Sequence, residues 1–369
     1  MVSKHDTNLS RNINGDPVVR NRLHQYSRAR PYWLLFNTHY VVDSLVSILP
    51  LLEANGNQRV AIAKGSDPYR TTLQALNYFK DEVSYKPCDR VVIKPNIVRP
   101  VASKKGITTD VRVVEAIIKF LRDRGVEDII IAEGGNPGTD KAFKILGFME
   151  LKMKYGVELV NLNKDEWEEI TIPDSVVLET VKVAKTVLEC DKIINVPKLK
   201  IHHMAQITLS LKNLMGVIVD NRGLVMHDMI DEKIVDLASL FKPVLNVVDG
   251  IVGAEMDEVV GNPVQSNVII AGVDMVAVDT IGSAVMGLDP NTIKHVQLAA
   301  KRGIGISNLD HIDVIGEMIK TVEKRFSTAY SERKLKTYGL SNPLSEEDKL
   351  YMRNSFANRD PQVSDPYRK

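Results

Sequence analysis

Short apolar runs recur along the chain, each ending abruptly in a polar segment. Residues 59–64 (RVAIAK), 90–94 (RVVIK), 128–132 (DIIIA), 193–194 within DKIINVP, 245–249 (LNVVD), 267–271 (NVIIA) and 312–315 (IDVI) all have this form. Runs this short, bounded by Gly, Pro, Asn or Asp, predict buried strands. Helical spacing appears between them, over 70–79 and over 111–124, where Asp110 can cap the first turn and Gly125 ends the last. Ala277, Ile281, Ala284 and Val285 mark a further helix, with Asp274 as its cap and Gly287 as its stop. Alternating strands and helices predict an α/β fold: a mostly parallel sheet with helices on both faces, and polar loops at the carboxyl ends of the strands forming a cleft.

The flanks read differently. Residues 1–57 divide into a polar arm and, over 32–52, an amphipathic docking helix; 58–318 form the core, with a subdomain at 151–190 carrying short strands at 158–161 and 171–172. Residues 319–369 form a C-terminal helix and a surface tail. The apolar stretch at 32–52 contains Asn37, His39, Asp43 and Pro50. An aspartate at the bilayer centre costs about 2.5–3.5 kcal/mol on insertion scales, which argues against a stable membrane span.

Three polar tails follow predicted strands and are expected to meet at one sheet edge: KPN at 94–96, EGGNPG at 133–138 and NVPKLKIHH at 195–203. The last belongs to 191–216, where four lysines (192, 198, 200, 212) face one aspartate, Asp191, in a chain with 48 basic and 47 acidic residues. A local basic cluster in a neutral chain points to a small anionic ligand and gives no general field for nucleic acid. Lys94, Lys198 and Lys200 are candidates to bind the anion, and Asn96, Asn195 and Asn213 to orient it, with Glu133, Asp249 and Glu255 nearby. His202 and His203 are acid–base candidates; in an extended chain they would face opposite ways, leaving one for the ligand. Thr208, Ser210 and Lys212 alternate as on one face of a strand, and a lysine among Leu211, Leu214 and Met215 can act as base or nucleophile.

His202, His203, His227, Asp228 and Asp249 are the ligand types of a divalent metal, with His227 the metal candidate outside the basic loop, although no HExxH or CxxC spacing supports the site. EGGNPG reads equally as a phosphate cradle or as turn chemistry, since Glu133 would repel phosphate. Two isolated cysteines, Cys88 and Cys190, exclude a cysteine-held iron–sulfur cluster and a disulfide framework, and fit a reducing, cytoplasmic setting.

The blocks VVIKPNIV with GITTD, IIIAEGG, DKIINVPKLKIHH with TLSLKNLMG, VVDGIVGAE with GNP, and AGVDMVAVDTIGSAVMGLDP resemble, in order, the domain-of-unknown-function family 362 from about residue 59 to 317. Many members of that family carry a ferredoxin-like segment with cysteine clusters, which this chain lacks. A more distant similarity, to the nickel-pincer lactate racemase family, implies a nickel cofactor: His202 or His203 would match its loop histidine, Lys212 its cofactor lysine and His227 a metal ligand, while the surrounding glycine pattern is absent. The expected function is an enzyme acting on a small carboxylate- or phosphate-bearing metabolite. A non-catalytic ligand sensor and a metal-dependent racemase or redox enzyme are the alternatives, and association with a second copy of the chain stays open.

Overall fold

The computed structural model describes residues 57–135 and 138–328. The arm and docking helix expected before residue 57, and the tail expected from residue 341, lie outside the described residues. Twelve strands are described: β1 (Gln58–Lys64), β2 (Arg90–Pro95), β3 (Asp128–Glu133), β4 (Glu158–Asn161), β5 (Trp167–Thr171), β6 (Thr180–Ala184), β7 (Lys192–Val196), β8 (Lys198–His202), β9 (Gln206–Thr208), β10 (Leu245–Glu255), β11 (Asn262–Gly272) and β12 (Ile312–Gly316). The helices are α1 (Pro68–Asn77), α2 (Val111–Arg122), α3 (Thr139–Ile145), α4 (Phe148–Tyr155), α5 (Lys185–Leu188), α6 (Ser210–Asn213), α7 (Arg222–Val225), α8 (Ile230–Ala238), α9 (Met275–Val285), α10 (Lys294–Lys301) and α11 (Ile319–Val322).

The main sheet has the order β12-β1-β11-β10-β7-β2-β3-β4, and β5 and β6 pair separately with each other. β8 pairs with β10 and with β9 off this path, and neighbours in the main sheet run parallel except where β11 runs against β1 and β10 and where β9 runs against β8. The sheet is mostly parallel, as its alternating pattern predicts, and helices cover both faces. Odd and even residues of each strand enter different cores because side chains alternate across a strand. Ala61, Val91, Ile93, Ile129 and Ile131 join the first core, with Leu76 of α1 and Ile117 and Leu121 of α2. Val60, Ile62, Val92, Ile130 and Ile270 join the second, with Ile234 of α8 and Ile281 of α9. Each such side chain, fully buried, contributes about 1.5–3 kcal/mol.

The expected caps form. Asp110 accepts from Arg112 N at 2.9 Å at the start of α2, and Asp274 accepts from Val276 N and Ala277 N at the start of α9. Among the described residues no helix is long and apolar enough to cross a membrane.

Two local expectations are corrected. β10 and β11 run to 255 and back from 262, well beyond the predicted 245–249 and 267–271, because Gly250, Gly253 and Pro263 are accommodated within an antiparallel hairpin whose register shifts between Gly250 and Val252. Residues 208–212 are not one strand: β9 stops at Thr208, and Ser210 begins the short helix α6. The carboxylate of Asp279 fixes that break by accepting from Ser210 N at 2.6 Å and Leu211 N at 3.0 Å.

Candidate functional site

β2, β3, β7 and β10 run parallel, so their carboxyl ends lie on one side of the sheet. Pro197 interrupts the chain after β7, which continues as β8. β10 pairs with β7 through Asn246 and then with β8 through Asp249 and Ala254. Strand alternation on β8 places Leu199 and Ile201 in the core and Lys198, Lys200 and His202 on the other face. Thr208 of β9 lies directly opposite Lys200, hence on that same face.

Most of the charges here are already satisfied. Lys94 Nζ lies 3.2 Å from both carboxylate oxygens of Glu133 and also donates to Pro95 O and Asn213 Oδ1. Ile97 N and Gly134 N donate to the same carboxylate, so Glu133 occupies the amide nest that a phosphate would need. A phosphate at Gly134 N would have to displace that carboxylate. Lys198 Nζ is held at 2.6 Å by Asp249, which also accepts from Asp110 N and Ile251 N. Asn96, Asn213, Asn195 and Asn246 form a chain of side-chain amides across the strand ends, with links of 2.9, 2.8 and 3.0 Å.

Lys200 Nζ donates to three neutral oxygens: Asn96 Oδ1 at 2.8 Å, Ile107 O at 2.9 Å and Glu258 O at 3.1 Å. Burial, reinforced by Lys212 and Lys198 and opposed by Glu258, pulls its pKa down to about 7. The three acceptors oppose this, because a neutral amine has only two N–H bonds to give. Lys200 therefore reads as a clamp tying the β10–β11 turn to the sheet edge.

Lys212 differs from the other three. The residue is 9% exposed, and among the described residues its ammonium has no hydrogen bond or ion pair. Burial first, with Arg222 adding to it and Glu258 opposing, brings its pKa down to about 8. With Lys94 and Lys198 neutralised by Glu133 and Asp249, Lys200, Lys212 and Arg222 face the single carboxylate of Glu258, which leaves the site with excess positive charge.

Glu258, in the β10–β11 turn, closes the group. Its carboxylate meets His203 Nδ1 at 2.7 Å and His203 N at 3.1 Å, and lies 3.6 Å from His202 Nε2. Burial would raise its pKa, but the histidines and Lys212 hold it well below the usual range. The two imidazoles stack with centroids 5.0 Å apart and planes 16° apart, because β8 ends at His202 and the chain turns. The expected opposite orientation of the pair does not hold. His202 Nδ1 accepts from Met204 N and Ala205 N, both at 3.1 Å, which places the ring proton on Nε2. Burial, together with Lys212, keeps this imidazole neutral, its pKa well below 6.5.

His202, His203 and Glu258 each offer a ligand atom within 4.8 Å of the others. The donor types suit a divalent ion, but the His202 tautomer directs an N–H rather than a lone pair toward Glu258. His203 and Glu258 fit a metal; His202 fits it only if it gives up both backbone hydrogen bonds at Nδ1.

The structure thus gathers Lys94, Asn96, Glu133, Asn195, Lys198, Lys200, His202, His203, Lys212, Asn213 and Asp249. Glu255 instead accepts from Ser327 N at 2.9 Å, and His227 is exposed, beside an Asp228 that pairs with Lys233. Sequence reasoning missed Glu258, Asp279, Thr208 as a polar group of the site, and Arg222, which lies beside Gly134 and donates to Gly135 O and Asn163 Oδ1. For Glu258 the signal was its place after a strand carboxyl end, but Glu255 and Asp257 share that place.

A family model described as a domain of unknown function (DUF362) matches residues 91–284. A thylakoid-associated protein of Synechocystis sp. is 26% identical over 249 residues, covering 64% of this chain and 74% of that protein. Among solved structures, the lactate racemase apoprotein from Thermoanaerobacterium thermosaccharolyticum aligns with a TM-score of 0.36 and 14% identity, covering 63% of this chain and 58% of its own, less than two thirds.

Proposed function

Because this chain belongs to the DUF362 family, whose description assigns no reaction, we propose a function from the site's own chemistry: an enzyme acting on a small anionic metabolite, carboxylate- or phosphate-bearing, at Lys212. The observation that carries this reading is the largely buried Lys212, whose ammonium has no protein partner among the described residues. A ligand anion would supply the missing charge, and one charge-assisted hydrogen bond contributes about 1.5–3 kcal/mol. The neutral His202 offers its Nε2–H to a ligand oxygen, and the Glu258 carboxylate holds His203 in place beside it. Lys94, Lys198, Asp249 and the asparagines hold the strand ends that carry these groups.

Calorimetry and thermal shift with acetate and inorganic phosphate, on wild type and Lys212→Met, test the reading. Binding by wild type that Lys212→Met loses supports it; equal binding by both overturns it. Turnover of a bound metabolite separates an enzyme from a ligand sensor. A second reading, a divalent metal on His203 and Glu258, is favoured by their donor types, and elemental analysis of protein purified without added metal decides it. The residue types at the site need neither membrane nor nucleic acid, and two isolated cysteines suit a cytoplasmic location; thylakoid association belongs to the Synechocystis relative. The division into an arm before 58, a core and a segment after 318 is part of the same proposal.

A further inference from the structure

We propose that Lys212 is a nucleophile that captures the carbonyl of a small 2-oxo acid as an imine. This rests on the anion-site reading above and narrows its substrate to carbonyl compounds. The amine sits on α6, whose first turn is pinned by the Asp279 carboxylate through Ser210 N and Leu211 N, so its stem starts from a fixed backbone. The other lysines of the site have their N–H groups committed to Glu133, to Asp249 or to three neutral oxygens. Lys212 has no such commitment, and the residue is only 9% exposed.

Its surroundings favour attack over simple charge pairing. Lys212 lies within electrostatic reach of Arg222, Lys200, His202 and Glu258. Burial and the Arg222 cation disfavour the ammonium, and with a pKa of about 8 roughly a tenth of the amine is neutral at pH 7. Thr208 Oγ1, on the same face as Lys200 and His202, is buried without a hydrogen-bond partner. That leaves one neutral donor for a substrate carboxylate.

The step balances without a co-reactant. The Lys212 nitrogen lone pair forms the C–N bond to the carbonyl carbon while the carbonyl π bond breaks toward oxygen. The Nε2–H of His202 donates a hydrogen bond to that oxygen, and one proton passes from nitrogen to oxygen through solvent, giving a carbinolamine. The second nitrogen proton leaves to solvent, and the hydroxyl oxygen takes one up as the C–O bond breaks. The products are an imine and one water, and no group is oxidised or reduced.

The test treats the whole chain with pyruvate, and separately with glyoxylate, in the presence of borohydride, which reduces an imine to a stable secondary amine. Intact mass and peptide mapping locate the adduct, and acetate binding is measured on wild type and Lys212→Arg in parallel. Lys212 is expected to be labelled at least tenfold faster than the exposed Lys104 or Lys105, because its amine is uncommitted and lies in a pocket that holds the donor Thr208. Lys212→Arg is expected to lose the preferential adduct, and acetate binding by wild type reports the anion site separately. Labelling of Lys212 no faster than of the exposed lysines, with either probe, overturns the imine. If acetate binding survives in that case, the anion site stands without it; if acetate does not bind wild type either, both readings fall.

Discussion

Replacing Lys212 by Met removes an enclosed charge while keeping an unbranched apolar stem, and it separates stability from function. The fall in pKa from 10.5 to about 8 corresponds to about 3 kcal/mol at 1.36 kcal/mol per tenfold step, as an upper bound. The sign follows from proton counting. Between pH 8 and 10.5 the unfolded chain holds the Lys212 proton and the folded chain does not, so wild-type stability rises with pH across that window. Below pH 8 both states are protonated and the whole cost of the buried ammonium is present. Lys212→Met should therefore be more stable than wild type by up to about 3 kcal/mol at pH 7, with the difference vanishing as pH approaches 10.5. Urea unfolding of both proteins at pH 7 and pH 10 measures it, and other groups that titrate in this range cancel in the difference. A Lys212→Met protein that is less stable at pH 7, or a difference equal at both pH values, would refute the reasoning. A stabilised variant that no longer binds acetate would show a site maintained at the expense of the fold.

Three further outcomes follow from the same geometry. His202 should remain the neutral Nε2–H tautomer well below pH 6.5 in long-range nitrogen–proton NMR spectra, and because the unfolded ring protonates first, its contribution to stability declines as pH falls below 6.5; a midpoint near 6.5 would contradict this. Asp249→Asn leaves Lys198 charged and buried, which should cost about 3–5 kcal/mol in urea unfolding; adding Lys198→Met should recover most of it, and a single-variant cost under about 1 kcal/mol would remove the pair from the list of structural supports. Gly216→Ala would place a Cβ 2.3 Å from Glu133 Oε1 and 2.6 Å from Lys94 Nζ, and should lower stability by about 1–3 kcal/mol, whereas an unchanged melting temperature would show that the pair can move aside.

Strand positions and the caps Asp110 and Asp274 were readable in the sequence because they depend on local pattern. β11 was legible as a strand, but not its direction, since NVIIA reads the same either way and the hairpin turn at 256–261 looks like an ordinary loop. Within the site, Lys94, Lys198 and Lys200 read alike as anion binders, and Lys212 stood apart only through its apolar neighbours. They separate only through partners far along the chain: Glu133 for Lys94, Asp249 for Lys198, and Asn96, Ile107 and Glu258 for Lys200. Such pairings follow from register across the sheet, which no local spacing encodes. Ser210 and Lys212 were misassigned to a strand for the same reason, because the carboxylate that breaks the strand is Asp279 on α9.

The reversal of β11 also bears on how the chain comes off the ribosome. β1, complete at residue 64, is hydrogen-bonded in the main sheet to β11 and β12, which begin at residues 262 and 312. At typical elongation rates the wait between the end of β1 and the arrival of β11 is roughly 10–40 s. During that time Val60, Ile62, Ala61 and Ala63 lack their sheet neighbours. β2 and β3 can pair much sooner, so the nascent chain has reason to assemble from the β2–β3 side and to admit its first core strand near the end. Glu258 arrives with the same late hairpin, which means that Lys212 is translated before the carboxylate that completes its surroundings.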